Sequence, residues 1–223
     1  MLKTTRLFII FFLVGLVFAA VPTGQVIEGI KKKFDNTKDF QATIVQTNVD
    51  GFGTKTVYKG DIVFVQPNVV RLAYYEKSPQ KPSQVAVTDG KYLWIYTVEL
   101  KQITKQKVDS RNLPLPLMIL GGAAQIDEKF RDKNYIRPIE RVSLNGKKAL
   151  NITIKPKNKN MDYKQQTLWV ESSTYLPIKA EYKDLSGNVS TVTFNNVKVD
   201  SGVDIKSISL EKKTGVKFID LTK

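Results

Sequence analysis

Gly60-Asp61-Ile62-Val63-Phe64-Val65-Gln66-Pro67-Asn68-Val69-Val70-Arg71-Leu72-Ala73-Tyr74-Tyr75 reads as two β-strands joined at Pro67-Asn68. Proline supplies no backbone donor and fixes φ, and asparagine tolerates turn geometry, so the pair breaks one extended run from the next. In the second run Val70, Leu72 and Tyr74 fall on one face and Arg71, Ala73 and Tyr75 on the other. Core packing and the lining of a cavity both account for such an apolar row.

The same period of two extends outward in both directions. It begins at Phe40, Ala42 and Ile44 and continues through most of the chain. Asp50-Gly51, Asp89-Gly90, Asn145-Gly146 and Ser186-Gly187-Asn188 are turn residues, each set standing between a pair of β-like runs. Strands are expected over 39–49, 55–66, 69–76, 84–88, 91–97, 101–107, 134–143, 148–155, 164–172, 177–183, 189–196 and 204–211. Short connections make neighbours antiparallel, and so many hairpins give a large curved sheet whose apolar face must be covered.

Two segments escape this period. Val26, Ile27, Ile30 and Phe34 recur at helical spacing between lysines, which predicts one amphipathic helix near the start. Leu113 to Ala124 carries Pro114 and Pro116, then the apolar run Leu117-Met118-Ile119-Leu120, then Gly121-Gly122. It reads as short helical turns with a hinge at each end, followed by a small helix near Asp127 to Arg131. A fixed core plug and a movable lid need the same residues here. Tyr92, Trp94 and Tyr96 also share a strand face, as a hairpin-stabilising row would.

Before the first helix, Lys3 and Arg6 precede an apolar run from Leu7 to Phe18 that ends in Ala19-Ala20. This is the pattern of a signal peptide over residues 1–19, with Val17 and Ala19 at the small-residue positions and a single domain over 20–223. An uncleaved anchor helix is the alternative, and the run is short for a bilayer span.

Composition narrows the function. Cysteine and histidine are both absent, which excludes a disulfide, a thiol nucleophile, a Cys/His zinc site and an imidazole base. No spacing points to a Ser-Lys dyad or a carboxylate pair, so neither an enzyme nor a cofactor is expected. The net charge of +14 favours an acidic partner or anionic headgroups. Lysines are scattered singly among strand residues, without the aromatic-interleaved stripe of a nucleic-acid surface.

The blocks 60–68, Val87-Thr88-Asp89-Gly90-Lys91-Tyr92-Leu93-Trp94-Ile95-Tyr96 and Gln102-Ile103-Thr104, in this order and spacing, resemble the central hairpins of the LolA family of lipoprotein carriers. Phe40-Gln41-Ala42, Pro116-Leu117-Met118, Asp184 with Ser186-Gly187-Asn188, and Gly215-Val216 extend the likeness over nearly the whole chain. The resemblance implies a mainly β fold: a half-open antiparallel β-barrel, a curved sheet of about eleven strands, under an N-terminal helix and short lid helices. It implies a periplasmic, monomeric protein that binds lipoprotein acyl chains. The implied partners are acylated lipoproteins, an inner-membrane lipoprotein-releasing ABC transporter and an outer-membrane acceptor. A stationary lipid-binding sensor or assembly domain on the same fold is the alternative.

By the same resemblance Ile62, Phe64, Val70, Leu72, Tyr74 and Trp94 are the expected cavity residues, and Leu117, Met118, Ile119 and Leu120 the lid. In the family an arginine commonly precedes the proline matched by Pro67 and latches the lid backbone. Gln66 stands there instead, and it lacks the charge and fork geometry of a guanidinium.

Overall fold

A computed structural model describes residues 21–78, 80–109, 114, 116–117, 132–158, 163–210 and 215–222. The first helix, α1, spans Thr23–Asp35 and buries Val26, Ile27, Ile30 and Phe34, the four residues that share one helical face. Its last turn carries Lys32 and Lys33, whose charge complements the partial negative charge of a helix C-terminus. Thr37 Oγ1 donates to the Lys33 carbonyl at 2.7 Å, satisfying one of the acceptors that a helix end leaves free.

Among the described residues, thirteen strands form one sheet. They are β1 (Asp39–Val49), β2 (Lys55–Val65), β3 (Val69–Tyr75), β4 (Gln84–Thr88), β5 (Tyr92–Thr97), β6 (Gln102–Lys107), β7 (Asn134–Ile136), β8 (Glu140–Leu144), β9 (Lys147–Pro156), β10 (Tyr163–Glu171), β11 (Pro177–Asp184), β12 (Val189–Val199) and β13 (Lys217–Asp220). The order across the sheet is β13-β6-β5-β4-β3-β2-β1-β12-β11-β10-β9-β7, with β8 also on β9. All pairs are antiparallel except β13 with β6. The two-residue turn Asn145-Gly146 has φ of 52° and 76°, the left-handed pair that a tight hairpin demands.

Strand parity decides what is inside. Phe40, Ala42 and Ile44 of β1 stand opposite Phe64, Ile62 and Gly60 of β2. Phe64 and Ile62 in turn stand opposite Val70 and Leu72 of β3. These side chains and the buried face of α1 form one core with Leu150, Ile152, Val170, Val192 and Phe194 from the far half of the sheet. The helix therefore lies on the concave face and joins both halves.

The chain after β12 departs from expectation. The strand expected over 204–211 is not formed over its described part, 204–210; Ile205–Ile208 is a single helical turn, α2, capped by the Asp204 side chain, which accepts from the Lys206 N–H at 2.9 Å. The reason is topological. To travel from β12 to β6 the chain must cross the backs of β1 to β5, and a crossing segment has no strand alongside to pair with. Leu210 packs there on Ala73, Val85 and Val87, the small apolar cluster of the convex face. Asp39 fastens the start of this strap, its carboxylate accepting from Ser201 N and Oγ, Gly202 N and Val203 N at 2.9, 2.6, 2.8 and 3.3 Å.

The run expected as one strand over 134–143 is two, β7 and β8, both on β9. Pro138 lies between them and cannot donate to the ladder. The expected signal segment, the lid residues Met118, Ile119 and Leu120, and the small helix near 127–131 lie outside the described residues.

Candidate functional site

The concave face has a sealed zone and an open one. In the sealed zone Ile62 and Leu72 are fully buried, and Val70 and Phe64 nearly so. Above them lie Val26, Ile27, Ile30 and Phe34 of α1 together with Leu117. Leu117, the one expected lid residue among those described, is 2% exposed, and its N–H donates to the Pro114 carbonyl at 2.9 Å. Helix α1 and Leu117 thus cover this apolar row.

The open zone begins where the row ends, at Tyr74. A cavity of about 660 Å³ lies between Gln46 and Asn48 of β1, Tyr58, Tyr74, the 76–83 connection and Pro114. Its volume falls in the range of roughly 300–1,000 Å³ typical of small-molecule sites. The Tyr74 hydroxyl donates to Gln46 Oε1 at 2.5 Å, and Gln46 Nε2 donates to Asn48 Oδ1 at 3.0 Å. Burial, with Tyr58 nearby as a smaller cause, pushes the Tyr74 phenol well above its ordinary range, so it stays a neutral donor at any physiological pH. The Tyr58 and Tyr74 ring centroids are 5.7 Å apart. Gly60 makes room for this arrangement: a β-carbon there would overlap the Ala73 carbonyl and press on the Tyr74 ring.

Helix α1 is held at two points. Gln66 Nε2 donates to the Asp35 carbonyl at 2.7 Å and to the Phe34 carbonyl at 3.4 Å. Among the described residues the Gln66 amide caps the end of α1, while the lid residues it was expected to latch, Met118 to Leu120, lie outside them. At mid-helix, a β-carbon on Gly29 would lie 2.6 Å from the Tyr175 ring. The missing side chain lets the turn between β10 and β11 press directly on the helix.

Trp94 is a correction. Leu93 and Ile95 of β5 belong to the concave core, so parity puts Trp94 on the convex face, opposite Val87. There it meets Tyr92 edge to face at 5.9 Å, with Lys105 Nζ 4.1 Å above the Tyr92 ring and 5.8 Å from that of Trp94. The period-two aromatic row is real but lies outside the cavity. Gln46 and Asn48, not anticipated, continue the parity of Phe40, Ala42 and Ile44 and were legible on that ground. Gly29 and Tyr175 carried no local signal.

The cavity wall offers hydroxyl, amide and aromatic groups, with the charged side chains of Glu76, Lys77, Lys81 and Glu99 beside them. Among the described residues no cluster of Asp or Glu could hold a metal ion.

The family profile described as "Outer membrane lipoprotein carrier protein LolA" matches residues 35–207. A protein named outer-membrane lipoprotein carrier protein from Azotobacter vinelandii is 24% identical over 96% of this chain and 99% of its own. One of the same name from Pseudomonas paraeruginosa is 22% identical over 96% of each. Among solved structures, an uncharacterized conserved protein from Thermus thermophilus superposes with a TM-score of 0.58 at 10% identity, covering 88% of this chain and 98% of that one. MucB of Pseudomonas aeruginosa, in complex with MucA, superposes at 0.50 and 15% identity over 84% of this chain and 60% of that one. The structural likenesses speak to the fold, while the profile covers most of the chain from the end of α1 to α2, and on that ground the chain belongs to the outer membrane lipoprotein carrier protein LolA family.

Proposed function

We propose that the protein carries lipoproteins through the periplasm, shielding their acyl chains on the concave face, from an inner-membrane lipoprotein-releasing transporter to an acceptor at the outer membrane. The observation that carries this reading is the continuity of the apolar row Ile62, Phe64, Val70 and Leu72 with the cavity that opens at Tyr74. The names of relatives aligned over nearly the whole chain support it. Each acyl methylene left in water costs about 0.8 kcal/mol, so two or three chains cost tens of kcal/mol. A carrier must offset that and still release its load. A row covered by a helix held at a few points suits the task better than a permanently open groove, and it requires binding alone, without a chemical step.

A second reading, a stationary envelope domain that senses or assembles, has support in the fold shared with MucB, a protein solved bound to MucA. Recovery of the protein from the periplasm with mass spectrometry of bound lipoprotein, followed by transfer to outer-membrane vesicles, separates the two. Carriage requires both capture and transfer. Val70→Glu puts a charge into the row and should abolish capture; a folded variant that captures acylated cargo at the normal level removes the concave face as the binding surface.

A further inference from the structure

Phe52 is 99% exposed, the most exposed large apolar side chain among the described residues. It is displayed on a built turn between β1 and β2. Asp50 Oδ1 accepts from the N–H groups of Phe52 and Thr54 at 2.9 and 2.8 Å, and the Asp50 carbonyl accepts from Gly53 at 3.0 Å. The Thr54 backbone bond is the main cause holding the Asp50 carboxyl below its ordinary value. Flanking Gly51 and Gly53 offer the ring no covering side chain.

The adjoining hairpin, between β11 and β12, is locked to this turn. Gly51 donates to Asn188 Oδ1 at 2.9 Å, while Asn188 donates through N and Nδ2 to the two Asp184 oxygens at 2.9 and 2.6 Å. Leu185, 51% exposed, sits on that second tip. Both tips stand at the end of the sheet where Asn48 and Tyr58 line the cavity. Lys55, Lys77, Lys81 and Lys183 are exposed at the same end; Glu76 and Glu99 are there too, Glu99 within 3.5 Å of Lys77. Asp50 and Asp184 turn their carboxylates to backbone and amide donors. The chain as a whole carries +14.

We propose that Phe52 and Leu185 form an insertion tip that seats the cavity end of the barrel on a bilayer containing anionic phospholipid. A rigid turn loses little freedom on insertion, the ring gains an apolar surrounding, and the positive chain is drawn to the headgroups. That the tip serves to load or unload acyl chains rests on the carrier reading; the seating itself does not.

The test is flotation, without cargo, of the chain as recovered from cells, with vesicles of equal parts phosphatidylethanolamine and phosphatidylglycerol. Phe52→Ser should lower partitioning about tenfold to a hundredfold, the equivalent of burying one aromatic side chain, and Leu185→Ser by less. Leu221→Ser, which alters an exposed apolar side chain just past β13 toward the opposite end of the sheet, should leave partitioning unchanged. With no native cysteine, an environment-sensitive dye on Phe52→Cys reports the tip alone and should shift to the blue on vesicles. Equal partitioning of wild type and Phe52→Ser, or a dye that does not shift, overturns the proposal. So does a variant that binds vesicles normally and fails only in passing cargo to a second protein, since the tip would then be a protein contact. Cargo capture in membrane-free solution is read separately: its failure beside normal vesicle binding refutes carriage and leaves the tip standing.

Discussion

Gln66 and Asp35 meet where a strand ends and a helix stops, the Gln66 amide donating at 2.7 Å to the carbonyl of the last helical residue. The bond caps an acceptor that α1 leaves free, and it is neutral, so removing it should cost about 1 kcal/mol. Leu117, 2% exposed over the same core, should cost roughly 2–5 kcal/mol when cut to alanine. Leu117→Ala is therefore expected to open the concave face more than Gln66→Ala, read by the binding of an environment-sensitive apolar dye without cargo. Gln66→Arg should tighten the helix end, because a cation there also meets the helix dipole. Hydrogen exchange of the α1 amides checks that: faster exchange in Gln66→Arg than in wild type would refute it.

Tyr74→Phe removes the hydroxyl that satisfies Gln46, a side chain 8% exposed. An acceptor left buried without its donor costs about 1–3 kcal/mol. Replacing both residues, as Tyr74→Phe with Gln46→Leu, should recover most of the loss, because no polar group then remains to be satisfied. Urea denaturation of the four proteins in this cycle gives the coupling. Additive losses would mean that the bond contributes nothing of its own.

Acid should loosen the strap through Asp39. Desolvation raises this carboxyl's pKa, but the hydrogen bonds from the Ser201 side chain and from the backbone of Ser201, Gly202 and Val203 together outweigh it, and the net shift is downward. A depressed carboxylate contributes stability that is full above its unfolded value of about 3.9 and is lost as pH falls through the lower folded value. Asp39→Asn should thus be less stable than wild type at neutral pH, with the gap closing below about pH 4. Urea midpoints measured from neutral pH downward test the sign; a gap that widens in acid would refute it.

What could be read in the sequence followed from periodicity. Alternation over Phe40-Ala42-Ile44 and Val70-Leu72 gave the strands and their buried faces, and the spacing of Val26, Ile27, Ile30 and Phe34 gave the helix. Which face of β5 looks inward was not legible from Tyr92, Trp94 and Tyr96, because aromatics suit either side of a sheet. The register opposite β4 decides it. The helix in place of a strand at Ile205–Ile208 and the parallel pairing of β13 depend on where the chain must go, which local propensity does not encode. The partner of Gln66 was hidden for the same reason, since a carbonyl over thirty residues away leaves no mark on neighbouring sequence.

The pairing of β13 with β6 also orders events in time. Lys217 to Asp220 are the partners of Gln102 to Lys105, so the outer edge of β6 stays bare until every other strand has been made. Closing so long a loop is entropically slow, and sheets rich in distant contacts fold late. Until residues 217–220 are in place, that edge presents unpaired N–H and carbonyl groups. The strap thus protects the last edge of the sheet from pairing with another chain as well as fastening its back.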